Sequence, residues 1–209
     1  MKITLPENVS EITLGMFQRF MKLIERTDEL SVDAFNKRKV EIFTGLPRRD
    51  IKNVSRKDFD AIVEQIDTAM ETDVQFVPRF ELNGVEYGFC PNLDDMTTGE
   101  WADLSKFGED VENLHQVIAV LFRPVIKKDG FKNYKIASYT GDEDAELMKQ
   151  TPLNIVNGAL FFFGNLAKEL RLNIQKSTME VLLKADKHQT SSRSGDGTPA
   201  FTASQTETY

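Results

Sequence analysis

The sequence has a single cysteine, Cys90, so no disulfide can form within the chain. Histidine is nearly as scarce, with only His115 and His188. One cysteine and two histidines cannot make a zinc site, which takes several sulfur or imidazole ligands. The chain has no G-x-x-x-x-G-K-[ST] phosphate loop, no G-x-G-x-x-G fingerprint and no G-x-S-x-G nucleophile elbow. It lacks an apolar run long enough for a spanning helix: the most apolar stretch, Leu153 to Ala167, is short and broken by Asn154, Asn157 and Asn165. The first seven residues hold no apolar h-region and turn acidic at Glu7, so no secretory signal is expected and the working location is cytosolic. No repeat recurs at solenoid periods.

Positive charge is also in deficit. With 26 Lys and Arg against 33 Asp and Glu, the formal net charge is −7. Nucleic-acid binding draws on a positive field that neutralises phosphates, so a DNA or RNA partner is not expected. The basic clusters, Lys37-Arg38-Lys39, Arg48-Arg49 and Lys127-Lys128, are short and read as solvated helix ends and turns.

What is present is apolar periodicity. The 209 residues are 40% hydrophobic and 28% charged, enough for one substantial core. Thr13 can cap a helix whose Leu14, Phe17, Met21 and Ile24 fall at helical spacing, with Phe20 widening the stripe. A second helix is expected over 32–43, anchored by Phe35 and Phe43 and stopped at Gly45-Leu46-Pro47. Ser55 to Asp58 has a capping-box pattern before Phe59, Ile62, Val63, Ile66 and Met70. The period then changes to two. Phe76, Phe80 and Leu82 alternate, Asn83-Gly84 supplies a turn that tolerates positive φ, and Val85, Tyr87 and Phe89 alternate again, so a hairpin is expected over 75–82 and 85–90.

Thr97 to Glu100 forms a second capping box and opens a helix with Trp101 and Leu104 inward. A helix from about 109 carries Leu114, Val117, Ile118 and Leu121, and Phe122-Arg123-Pro124 is expected to close it. Residues 125–126 and 134–136 suit a second hairpin, 2–5 a short edge strand, and 142–149 a short acidic helix. Pro152 opens the longest helix, expected to reach 183, with Ile155, Val156, Ala159, Leu160 and Phe163 on one face and Phe161 and Phe162 extending it. Residues 184–209 are too polar to offset ordering entropy and are expected to be disordered. The expected class is α+β and predominantly helical: one domain over 1–183, a helical core with one or two small β-hairpins, and a polar tail.

Candidate chemistry is thin. His115 lies beside Leu114 on a helix and reads as a surface or boundary residue, and His188 lies in the tail. Asp94, Asp95, Glu100 and Asp103 could offer oxygens to a hard cation, but adjacent residues seldom face one ion and Glu100 has a capping duty. Cys90 reads as a small buried hydrophobe with no base beside it. No catalytic, cofactor or metal residue is therefore assigned, and a non-enzyme is expected. Trp101 and Arg123 are residue types common at interface anchors. Together with Phe161 and Phe162 they form the candidate partner-binding set.

Four segments together carry a resemblance: Asn36 to Pro47, Pro91 to Leu104, Leu114 to Pro124, and Asn157 to Phe163. Their layout resembles small proteins encoded among the tail and virion genes of tailed bacteriophages, including phages of Bacteroidetes-type hosts. The class it resembles is the tail assembly chaperone. That resemblance covers 1–183 and includes no catalytic signature. It implies a mainly helical protein of the host cytoplasm that binds the tape-measure protein, keeps its apolar helices from aggregating and helps recruit tail-tube subunits. Self-association is compatible with it, and no membrane or cofactor is implied. The other reading it leaves open is a structural virion component of the tail, neck or connector.

Overall fold

A computed structural model describes residues 4–71, 75–128, 133–141 and 145–165. The chain divides into two units, Met1–Phe163 and Gly164–Tyr209, and the fold below is that of the first. The expected boundary at 183, the tail 184–209 and the helix beyond 165 lie outside the described residues.

The protein is α+β and mostly helical, with one small antiparallel sheet. Helix α1, Leu14–Ile24, starts where the Thr13 hydroxyl accepts the Met16 N–H. Its inward face differs from the expected stripe: Leu14, Phe20 and Leu23 are buried with Gln18, while Ile24 is exposed. The 3.6-residue period accommodates both faces, and the polar Gln18 hid the true one from a reading of apolar spacing alone.

Helix α2, Val32–Thr44, is capped by Ser31 and ends at Gly45. Phe20 of α1 meets Phe43 edge-on at 5.3 Å and Phe35 at 6.2 Å, which joins the two helices through aromatic contacts. A four-residue helix not anticipated from sequence, α3 (Arg48–Ile51), follows directly and buries Ile51. Helix α4, Arg56–Met70, buries Phe59, Ile62, Ile66 and Ala69. Its cap is half of the expected box. The Ser55 hydroxyl accepts the Asp58 N–H, but the Asp58 carboxylate accepts the Ser55 hydroxyl instead of returning to the backbone, being one methylene shorter than Glu.

The hairpin forms where alternation placed it. Strands β1 (Arg79–Leu82) and β2 (Val85–Phe89) pair antiparallel, with Asn83 at φ 51° and Gly84 at φ 79° in the two-residue turn. Two helices then intervene. Helix α5 is Thr98–Phe107, and α6 is Leu114–Leu121. At Phe122, α6 passes straight into strand β3, Phe122–Lys128, which pairs with β4, Tyr134–Ile136. Phe122-Arg123-Pro124, expected to be only a helix stop, thus opens a strand next to β2. The two hairpins merge into one sheet of order β1-β2-β3-β4. Pro124 lies opposite Tyr87 in an interior strand, close to a register shift between Val125 and Lys127, the kind of irregularity that tolerates proline in a sheet.

Residues 147–150 form a single 3-10 turn where a short helix was expected from 142 to 149; 142–144 lie outside the described residues. Of the expected strand at 2–5, Thr4 and Leu5 join no strand and the rest is likewise outside. Helix α7 occupies 153–165. Its start is fastened to that of α1: the Leu14 N–H donates to the Thr151 carbonyl at 2.9 Å, and the Leu153 N–H donates to the Ile12 carbonyl at 2.8 Å. Ile12, Leu14, Val156, Ile66, Ile118, Leu121 and Phe122 are among the side chains most fully withdrawn from water.

Candidate partner-binding surface

Helix α7 turns Leu153, Ile155, Val156 and Ala159 into the core and leaves Leu160 and Phe163 half-buried. At 100° per residue Phe161 points away from that core, while Phe162, seven residues after buried Ile155, lies at its edge. Phe161 is accordingly 62% exposed and Phe162 37% exposed. Their surroundings differ. Phe162 stacks on Phe76 at 4.2 Å and meets Phe89 edge-on at 5.7 Å. Phe89 in turn packs edge-on against Phe122 at 5.3 Å. Phe162 is thus the solvent end of a run of rings rooted in the core. Phe161 makes no ring contact among the described residues and presents its face to water beside that rigid run. Phe163 leans on Trp101 of α5 at 5.9 Å. The inward placement expected for Trp101 is therefore only half realised, since this indole stays partly exposed.

Arg123 has a different setting. It is buried, and its Nη2 donates to Glu100 Oε1 at 2.8 Å, the two side chains being 8% and 3% exposed. The other Glu100 oxygen accepts the Thr97 N–H at 2.6 Å, and the Thr97 hydroxyl accepts the Glu100 N–H, completing the capping box. Glu100 therefore links the start of α5 to strand β3, with both carboxylate oxygens engaged. The Arg123 guanidinium lies over the Tyr139 ring at 5.8 Å, and the Tyr139 hydroxyl donates to Asp103. Its Nε is buried without a hydrogen-bond partner. Of the four candidate anchors, then, Phe161 and Phe162 lie at the surface and Trp101 at its margin. Arg123 lies beneath it as part of an internal pair.

The remaining chemical groups also fall into place. Asp95 accepts the Asn92 amide at 2.8 Å and Asp103 accepts Tyr139, so these carboxylates serve local turns and packing. Among the described residues no group of three or more His, Cys, Asp or Glu side chains could hold a metal ion. Cys90 is buried, and burial raises its thiol pKa. His115, expected at the helix surface or its boundary, lies deeper than that. It is buried against α1, with Nδ1 3.2 Å from the Gln18 amide nitrogen and Nε2 3.4 Å from a Glu146 oxygen. The same amide donates to the carbonyls of Val111 and Glu112. Burial, aided by the Lys149 charge and opposed by Glu146, lowers the His115 pKa below the ordinary value.

No helix among the described residues is long and apolar enough to cross a membrane. Comparisons with family models, with curated proteins and with solved structures find no match to this chain.

Proposed function

We propose that this chain is a non-enzymatic tail assembly chaperone of a tailed bacteriophage. It acts in the host cytoplasm by binding apolar helices of the tape-measure protein and assisting the recruitment of tail-tube subunits. The resemblance carried by Asn36–Pro47, Pro91–Leu104, Leu114–Pro124 and Asn157–Phe163 names the class. One structural observation supports the reading: Phe161 stands 62% exposed next to the packed rings of Phe162, Phe76 and Phe89. A large ring held on a rigid helix presents apolar area with little conformational entropy left to lose, which suits an anchor for another helix. Burying that ring in a partner is worth about 1.5–3 kcal/mol.

Co-expression with the phage's tape-measure protein tests the reading. The client is expected to move into the soluble fraction with the wild-type chain and to return to the pellet with Phe161→Asp. Equal insolubility with and without the chain would end the chaperone reading. Retention of the chain in purified particles would instead identify a structural virion component.

A further inference from the structure

A second surface, lined by no residue of α7, borders α1. A groove of about 530 Å³ lies between α1 and α2, floored by Leu23, Leu30 and Ile42. A second groove of about 420 Å³ borders the same helix beside Gly15 and Lys149. The two share Arg19, Lys22 and Glu112, so they adjoin as a two-part depression along α1. The 11 residues of α1 give it a length of about 16 Å, three turns of a partner helix.

The charge along it is unusual for a protein of net charge −7. Arg19, Lys22, Arg26, Arg38 and Lys149 line the depression, against Glu25, Glu41 and Glu112. Several of these charges are already paired. Lys22 bridges Glu112 at 2.7 Å, Arg26 bridges Glu29 at 3.1 Å, Glu41 is held by Arg48 at 2.8 Å, and Lys149 bridges Glu146 at 2.8 Å. Among the described residues Arg38 has no ion pair. Arg19 has only a hydrogen bond, from its Nε to the Gly15 carbonyl at 3.3 Å. Among the described residues, then, two arginines without an ion pair flank an aliphatic floor, and Glu25 is the one lining carboxylate without an ion pair there.

We infer that this depression is a docking site for an amphipathic helix of a partner protein whose apolar stripe is flanked by acidic residues. The apolar stripe meets Leu23, Leu30 and Ile42, and the acidic flanks meet Arg19 and Arg38, since complementary charge sets orientation and partner choice around an apolar contact. A nucleic acid fits less well. The floor is aliphatic, offering no ring on which a base could stack, and three carboxylates stand where a phosphate chain would run. The site does not depend on the chaperone reading, because its probe is a designed peptide and Phe161 is not among its residues.

The test measures fluorescence anisotropy of the full chain with a labelled amphipathic peptide of about 14 residues, leucines at helical spacing and glutamates on both flanks. A lysine-flanked peptide with the same leucines and an oligothymidylate serve as comparators. The glutamate peptide is expected to bind at least about tenfold tighter than the lysine peptide. The double variant R19E/R38E should reverse that order, and Glu25→Lys should tighten glutamate-peptide binding. Unchanged far-UV circular dichroism and melting temperature identify these as surface effects. Equal affinity for both peptides, indifference to the charge reversals in folded variants, tighter binding of the oligonucleotide, or no peptide binding at all would each overturn the inference.

Discussion

Replacing Arg123 with Met separates an internal bridge from a surface anchor. The substitution keeps most of the aliphatic bulk and removes the donor 2.8 Å from Glu100 Oε1. Glu100, 3% exposed at its side chain, is left with one oxygen on the Thr97 N–H and the other without a partner in the interior. Breaking a buried ion pair by removing one member costs about 3–5 kcal/mol, because the remaining charge stays desolvated. That is a large share of the ~5–15 kcal/mol typical of a whole domain. Glu100→Gln should cost a comparable amount, since it strands the buried Arg123 charge and leaves one amide oxygen for two donors, the Thr97 N–H and Arg123 Nη2. In the double variant the stranded charge is gone, so its cost should fall below the sum of the singles by about 1–3 kcal/mol. Urea unfolding monitored by circular dichroism reads all four proteins. An Arg123→Met cost under about 1 kcal/mol, or strict additivity in the cycle, would refute the internal-bridge account and return Arg123 to the surface.

Two further expectations concern packing and protonation. Gly158→Ala should destabilise by about 1–3 kcal/mol although alanine favours helices, because the added Cβ would lie 2.3 Å from the Gln75 carbonyl oxygen; a neutral or stabilising result in urea would show that 75–76 does not press on α7. Below about pH 6.5 the wild type should lose stability, because the unfolded chain takes up a proton on His115 before the folded chain does. The contribution is complete above the unfolded pKa and falls away as pH drops through the lowered folded pKa, with a slope of at most about 1.4 kcal/mol per pH unit for one proton. His115→Gln should flatten that segment of the stability profile, and an identical profile in the variant would contradict the burial argument.

Local signals were strong wherever a side chain answers its own backbone. Thr13, Ser55 and Thr97 all cap the helices they precede, and Asn83-Gly84 turns the hairpin. Long-range partnerships were not legible. Nothing in the spacing of Glu100 and Arg123 indicates that a helix cap and a strand residue meet, because the pairing exists only once β3 lies beside β2. Gln18 and His115 are similar: each looks like a helix-surface polar residue alone, and together they fill a buried joint. The α6–β3 junction misled for another reason. Pro124 ends helices in general, but here Phe122 had already left the helix for a strand that tolerates proline beside an irregular register. At the surface, Phe161 and Phe162 were legible as excess apolar residues on a helix whose inward face was already full.

The most direct measurement of the central claim is the affinity of the purified chain for an apolar helical fragment of the tape-measure protein, read by isothermal titration with wild type and Phe161→Asp side by side. Saturable binding by the wild type, weakened at least about tenfold in a variant with the same melting temperature, is the predicted result. Equal binding by the two proteins, or none by either, would contradict it.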